Sequence, residues 1–169
     1  MPRIVLLALL ILSCGNLRAQ PVNDLCEDAI ELDFEKRLDA NGVVSLGAVV
    51  EGATAAATPD AEGTFPDAPG VWYWFVGNGD LVNANTCGDA SDYDTALSVF
   101  SGGCEALAVI GENDDDNCGL GVWTGRSAVE WIAEEGVPYL VLVHGWNTSS
   151  GNYILELTTG DLIPGGGGG

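Results

Sequence analysis

The densest group of side chains able to do chemistry runs Glu112-Asn113-Asp114-Asp115-Asp116-Asn117, with Asp89, Asp92 and Asp94 shortly before it. Calcium takes about six to eight oxygen ligands and tolerates loop geometry, so carboxylates and amide oxygens on two neighbouring loops suit it. The ligand alternation and central glycine of an EF-hand are absent. The same residues also suit solvated turns, in which Asp and Asn side chains cap backbone amides. Two expectations therefore stand side by side: a structural calcium ion held among Asp92, Asp94, Asn113, Asp114, Asp115 and Asp116, or turn chemistry alone.

His144 is the only histidine. A Ser-His-Asp arrangement needs a base oriented by a carboxylate and within reach of a nucleophile. No Gly-x-Ser-x-Gly segment is present to hold a serine at a strained turn, and Ser101-Gly102-Gly103 reads as an ordinary turn. His144 is expected to be a strand-end histidine. Paired carboxylates serve glycoside hydrolysis at set separations, but among 25 acidic residues such a pair arises by chance. The chain is read as no enzyme, with a secreted hydrolase as the unfavoured alternative.

Trp123 lies within Gly121–Gly125 and Trp146 within Gly145–Gly151. Both suit either exposed platforms that stack on sugars or anchor a partner, or loop side chains folded back over the ends of the domain. Trp72, Trp74 and Trp131 are assigned to the core. Asn147-Thr148-Ser149 is a glycosylation sequon.

Arg3 precedes an apolar run from Ile4 to Leu12, followed by small and polar residues to Ala19. This is the pattern of a signal peptide, too short to span a bilayer. Cleavage near Ala19 is expected; Ile11-Leu12-Ser13-Cys14-Gly15 offers a second route, with a lipid anchor at Cys14. Export favours disulfides, and Cys26, Cys87, Cys104 and Cys118 remain after the leader. No CxxC pair favours zinc. Three pairings are open; the expected one joins Cys26 with Cys87 and Cys104 with Cys118, the latter closing a short turn-rich loop.

After residue 19 only Lys36, Arg37 and Arg126 are basic, against 25 acidic residues. Such a chain repels a polyanion, which excludes nucleic acid as a partner. The acidity serves solubility in an exterior medium or binds cations.

Short β-branched and aromatic runs separated by Gly, Asp, Asn and Pro clusters predict an all-β, jelly-roll-like sandwich of about eight or nine strands. Asn23–Leu32 is expected to form a short helical turn or edge strand. Strands are predicted at Val43–Val50, Gly70–Val76, Leu81–Cys87, Thr95–Phe100, Leu107–Ile110, Ala128–Ala133, Tyr139–His144 and Tyr153–Thr158. The last two are expected to pair as a hairpin. Val71-Trp72-Tyr73-Trp74-Phe75 is apolar on both faces, the mark of a central strand beneath a covering layer. Residues 1–19 thus read as leader, 20–163 as one sandwich domain, and 164–169 as a glycine-rich tail or a linker to a further domain.

Several segments carry a family resemblance: Asn23-Asp24-Leu25-Cys26-Glu27-Asp28-Ala29-Ile30, Val71-Trp72-Tyr73-Trp74-Phe75, Thr86-Cys87-Gly88 and Asp94-Thr95-Ala96-Leu97-Ser98-Val99-Phe100. Gly103-Cys104, Asn113-Asp114-Asp115, Tyr139-Leu140-Val141-Leu142-Val143 and Ser150-Gly151-Asn152-Tyr153 continue the order. Together they resemble the bacterial pre-peptidase C-terminal domains, jelly-roll modules attached to secreted proteases and surface proteins and related to the collagen-binding domains of collagenases. The resemblance implies a non-catalytic extracellular binding, targeting or accessory module whose partner is an extracellular polysaccharide or protein. It also implies a calcium site near the N-terminal entry, at Asn23 and Asp24 with Asp67 as a third ligand. Gln20, Pro21 and Val22 stand where that family's calcium binders carry further glutamates.

Overall fold

The computed structural model describes residues 19–38, 44–60, 62–121 and 124–160. Residues 1–18 of the expected leader with Cys14, residues 161–163, the expected tail 164–169 and Trp123 lie outside the described residues.

Among the described residues ten strands form two five-stranded sheets: β1 (Ile30–Glu31), β2 (Glu35–Leu38), β3 (Val44–Ala53), β4 (Val71–Val76), β5 (Leu81–Asn85), β6 (Thr95–Ser101), β7 (Ala108–Asn113), β8 (Ala128–Ile132), β9 (Pro138–Gly145) and β10 (Asn152–Gly160). One sheet runs β1-β4-β9-β6-β7 and the other β2-β3-β10-β5-β8. The order β3-β10-β5-β8 facing β4-β9-β6-β7 is that of a jelly roll. The eight predicted strands correspond to β3–β10. The short β1 and the charged β2, whose Glu-Lys-Arg-Leu sequence carries little apolar signal, complete the ten.

Alternation builds the core. Val71, Tyr73 and Phe75 of β4, Leu97 and Val99 of β6, and Tyr139, Val141 and Val143 of β9 face inward against Val82, Ala84, Val129, Trp131, Tyr153, Leu155 and Leu157. The Tyr73 and Tyr153 hydroxyls meet at 2.6 Å inside this core, joining the sheets with a polar bond where neither oxygen reaches water. Burial raises the pKa of both phenols.

The opposite face of β4 and its neighbours is also apolar. Trp72, Phe100, Leu140 and Leu142 form a second cluster on the outer side of the first sheet. Residues 54–60 and 62–70 cross that side as a strap, closed on itself by the Pro59–Pro69 bridge. The expected covering layer over the aromatic strand is therefore real. Trp72 and Trp131 are buried as expected, and Trp74 is partly buried.

Two pairing expectations are corrected. β9 and β10 are not a hairpin: β9 lies between β4 and β6, and β10 between β3 and β5 in the other sheet. Both strands are buried on inward positions, and a jelly roll sends successive strands to opposite sheets so that each meets the core from its own side. Among β3–β10, only β6 and β7 are a consecutive pair within one sheet.

The disulfides join Cys26 with Cys104 and Cys87 with Cys118, at Cα separations of 5.7 and 5.6 Å. The expected Cys104–Cys118 bond fails because β7 separates them. Cys104 precedes that strand and Cys118 follows it, so its six residues place them about 20 Å apart, far beyond disulfide reach. Cys26 lies with the outer cluster of the first sheet, whereas Cys87 follows β5 of the second. The Cys26–Cys104 bond pins the N-terminal 3-10 turn Cys26–Asp28 to the β6–β7 connection.

Peptide mapping without reduction is expected to recover Cys26–Cys104 and Cys87–Cys118. Replacing Cys26 and Cys104 together by serine should lower unfolding free energy by about 2–4 kcal/mol. Recovery of a Cys104–Cys118 peptide would contradict this topology.

Candidate functional site

Strand directions gather the chemistry at one end of the sandwich. The ends of β3, β5, β7 and β9 and the starts of β4, β6, β8 and β10 meet there, so the strap and the segments 86–94, 114–121, 124–127 and 146–151 share one pole. Asp89, Asp92, Asp94, Asp114, Asp115, Asp116 and Trp146 all belong to these connections or their borders.

The pole is held by a buried hydroxyl net. Thr86 Oγ1 and Thr95 Oγ1 lie 2.6 Å apart, Thr95 Oγ1 meets Ser127 Oγ at 3.2 Å, and the Ser127 hydroxyl donates to the Thr95 carbonyl at 2.7 Å. All three residues are fully buried. Arg126 donates from Nη1 to the Cys87 carbonyl at 3.1 Å and from Nη2 to the Ser91 carbonyl at 2.9 Å. The Cys87–Cys118 bond ties the same two loops covalently. Cys87, Asp116 and Cys118 cluster closely, but both sulfurs are committed to that disulfide and offer no thiolate to a metal.

The expected metal ligands divide by what they touch. Asn23 donates its side-chain amide to the Trp72 carbonyl at 2.9 Å and accepts the Trp72 N–H on its own carbonyl, extending the β1–β4 pairing. Asp24 accepts the Thr58 N–H at 2.6 Å and the Thr58 hydroxyl at 2.8 Å, with Gln20 on its second oxygen. Asp67 is exposed on the strap. Asp92 receives the Asn152 backbone at 2.8 Å and its side-chain amide at 2.7 Å. Asn113 bridges β7 to β8 by accepting the Ala128 N–H at 3.0 Å, and Asp116 caps the Cys118 N–H at 2.6 Å.

Asp94 is different. Its Oδ1 is buried with no hydrogen-bond partner, and burial, followed by the charges of Asp115 and Asp114, raises its pKa. Like charges gathered in partly dry surroundings favour the neutral acid.

Trp146 is 49% exposed. Its backbone N–H donates to the Asp94 carbonyl at 2.9 Å, and its ring meets Phe65 of the strap edge-on, with centroids 6.3 Å apart. The sequence placed it in a turn; whether it would project or fold back depended on Phe65, which is far away in sequence.

Beneath the strap, Ser98 Oγ lies 3.0 Å from His144 Nε2 and donates to Glu112 Oε1 at 3.0 Å. Sequence reasoning did not single out Ser98 and named Glu112 only within the acidic cluster; what joins them is that β6, β7 and β9 bring them onto one face. Ser98 is fully buried and His144 is 1% exposed. In a hydrolytic triad the histidine stands between serine and carboxylate; here the serine stands between them. Among the described residues this is the one contact joining serine to histidine, and it gives the histidine no orienting carboxylate. His144 Nδ1 lacks a hydrogen bond of normal geometry, the Gly145 backbone supplying a weaker contact. Burial, opposed by Glu112 and Gly145, lowers the His144 pKa to about 4. His144 is thus a strand-end histidine as expected, and a buried one.

No protein-family model and no curated protein sequence matches the chain. Among solved structures it is similar to a periplasmic inhibitor of g-type lysozyme, PliG, from Aeromonas hydrophila, at 15% identity and TM-score 0.45, over 84% of this chain and 100% of that one. It is also similar to the CBM22-1–GH10 modules of xylanase 10B from Clostridium thermocellum, solved with xylohexaose. That match has 14% identity and TM-score 0.32 and spans 79% of this chain and 26% of that one.

The His144 shift sets a pH dependence. An unfolded chain protonates this imidazole below its ordinary value of 6.5, whereas the folded chain resists until about 4. Stability from this group is complete above pH 6.5 and falls as pH drops toward 4, by up to about 3 kcal/mol. The raised Asp94 pKa acts in the opposite sense, so the check is a comparison. Urea unfolding from pH 7 to 4.5 should show a steeper loss in the native protein than in His144→Gln; equal slopes would contradict the shift.

Proposed function

We propose that the chain is a non-catalytic binding, targeting or accessory module of the extracellular or periplasmic space, of the pre-peptidase C-terminal kind. Two disulfides suit an oxidising compartment. No helix among the described residues is long and apolar enough to cross a membrane. A cleaved leader ending near Ala19 belongs to this reading. The segments that carry the resemblance lie on the N-terminal turn, on β4, β6 and β9, and at the ends of β5, β7 and β10 with their loops.

The observation that carries the proposal is Trp146, a half-exposed indole braced by Phe65 and anchored by its backbone to Asp94 at the loop pole. A flat aromatic held in place beside polar loops is a surface on which a sugar ring or a partner side chain stacks at small entropic cost. The order Glu112–Ser98–His144, with serine rather than histidine in the middle and both Ser98 and His144 buried, favours a structural role for the residues that would otherwise suggest hydrolysis. Retention on insoluble polysaccharides or immobilised matrix proteins should be lost in Trp146→Ala with an unchanged melting temperature. Turnover of ester or glycoside substrates that Ser98→Ala or Glu112→Gln abolishes would overturn the reading.

A calcium-stabilised form of the module is the second reading. The N-terminal positions fit a cation poorly, because Asp24 is occupied by Thr58 and Gln20, and Asn23 by Trp72. Asp94 with Asp114 and Asp115 fits better, since a cation would relieve the condition that raises the Asp94 pKa. Saturating calcium, at about 100 times its dissociation constant, should add about 2.7 kcal/mol, a rise of several degrees over chelator at matched ionic strength. Asp94→Asn should abolish the rise. Identical midpoints with calcium and with chelator would remove calcium and leave the first reading standing.

A further inference from the structure

We infer that the Trp146 pole recognises a cationic side chain, arginine before lysine, presented by a basic protein partner. This inference rests on the binding-module reading and names the partner of the same surface.

Charge complementarity is the first ground. The chain carries 25 acidic and 5 basic residues. Lys36 and Arg37 sit on β2, paired with Leu46 and Ser45 near the start of β3, at the far end of the sandwich. Arg126 is the one basic residue among the described residues of the pole, and its guanidinium donates to the Cys87 and Ser91 carbonyls. Asp94 is partly exposed, and its buried Oδ1 lacks a hydrogen-bond partner. The Asp114 and Asp115 charges act on the same carboxylate.

The second ground is independent of charge. Trp146 is 49% exposed and its backbone N–H bonds the Asp94 carbonyl at 2.9 Å, so an aromatic side chain and a partly exposed acid leave adjacent strand ends. An indole attracts a cation to its face, and a guanidinium can stack there while its N–H fork reaches a carboxylate. An ammonium satisfies the charge but stacks less well. The hydroxyl net, the disulfide and Phe65 hold the surface in place before the partner arrives, which lowers the ordering cost of binding.

Acidity alone would attract any polycation, and Glu134 and Glu135 at the far end provide the control for that effect. The probe is a hexa-arginine peptide titrated into the isotopically labelled, oxidised protein in chelator and about 0.15 M salt, where long-range attraction is screened. Binding is followed by amide and indole NMR shifts. The expected result is a set of shifts confined to the Trp146 indole and the amides near Asp94, Asp114 and Asp115. Trp146→Ala should weaken affinity about five- to thirty-fold, and Asp114→Asn with Asp115→Asn comparably, while Glu134→Gln with Glu135→Gln leaves it within twofold. Hexa-lysine should bind more weakly. Shifts spread over both ends, or equal losses in the pole and control variants, would overturn the inference. Shifts at Trp146 with a neutral β-1,4-linked oligosaccharide and none with the peptide would overturn the cationic partner while leaving the pole a binding surface. Silence at Trp146 with both probes would overturn both.

Discussion

A strand that is apolar on both faces has to be covered on both sides, and β4 imposes that requirement on the whole molecule. Val71, Tyr73 and Phe75 are satisfied by the second sheet. Trp72 needs an outer cover, and the strap provides it: Asp60 Oδ2 accepts the Trp72 indole N–H at 2.5 Å. The strap must itself be tied down, which is the work of Asp24 at Thr58 and of Ser98 near Thr64. Asn23 and Cys26 then bring the N-terminal segment along the edge of β4 and over the outer cluster. The Asn-Asp pair that suggests metal ligands on its own is, in this setting, the means by which the chain seals its most apolar strand.

The trio Ser98, His144 and Glu112 follows from the same cover. A strap that seals the outer face of the first sheet also seals polar residues of β6 and β9 that would otherwise meet water. Buried polar groups must then bond one another. The serine hydroxyl, able to donate and accept at once, joins imidazole and carboxylate. Burial holds His144 neutral, with one ring nitrogen poorly satisfied; the arrangement is a device for closing a surface, with its acid sensitivity as the physical cost.

Much of the fold was legible because jelly-roll strands announce themselves one at a time: β4 by its aromatic run, β10 by the alternation of Tyr153, Leu155 and Leu157. Pairing was not legible. Periodicity states which face of a strand is buried and nothing about which neighbour it lies beside, so β9 and β10, adjacent in sequence with a turn between, read as a hairpin. The disulfides failed for the same reason, since loop length was weighed without knowing that β7 stands between Cys104 and Cys118. At the site, the residue types of the acidic loops were visible, but their division was not. Asp92 meets Asn152 through a contact across 60 positions, which no local pattern announces.

That division leaves Asp94 as the point where the pole's electrostatics do not close. Its neighbours are absorbed into structure: Asp92 by Asn152, Asp116 by the Cys118 amide, Asn113 by β8. A loop free to move would swing like charges apart and hydrate them. Here the fully buried Thr86, Thr95 and Ser127 hydroxyls and the Cys87–Cys118 bond resist that relaxation. The burial and, after it, the Asp115 and Asp114 charges that raise the Asp94 pKa are therefore retained in the folded state. A rigid site with an unrelieved negative charge binds a cation without first reorganising, and the half-exposed Trp146 beside it gives that cation an aromatic face to rest on.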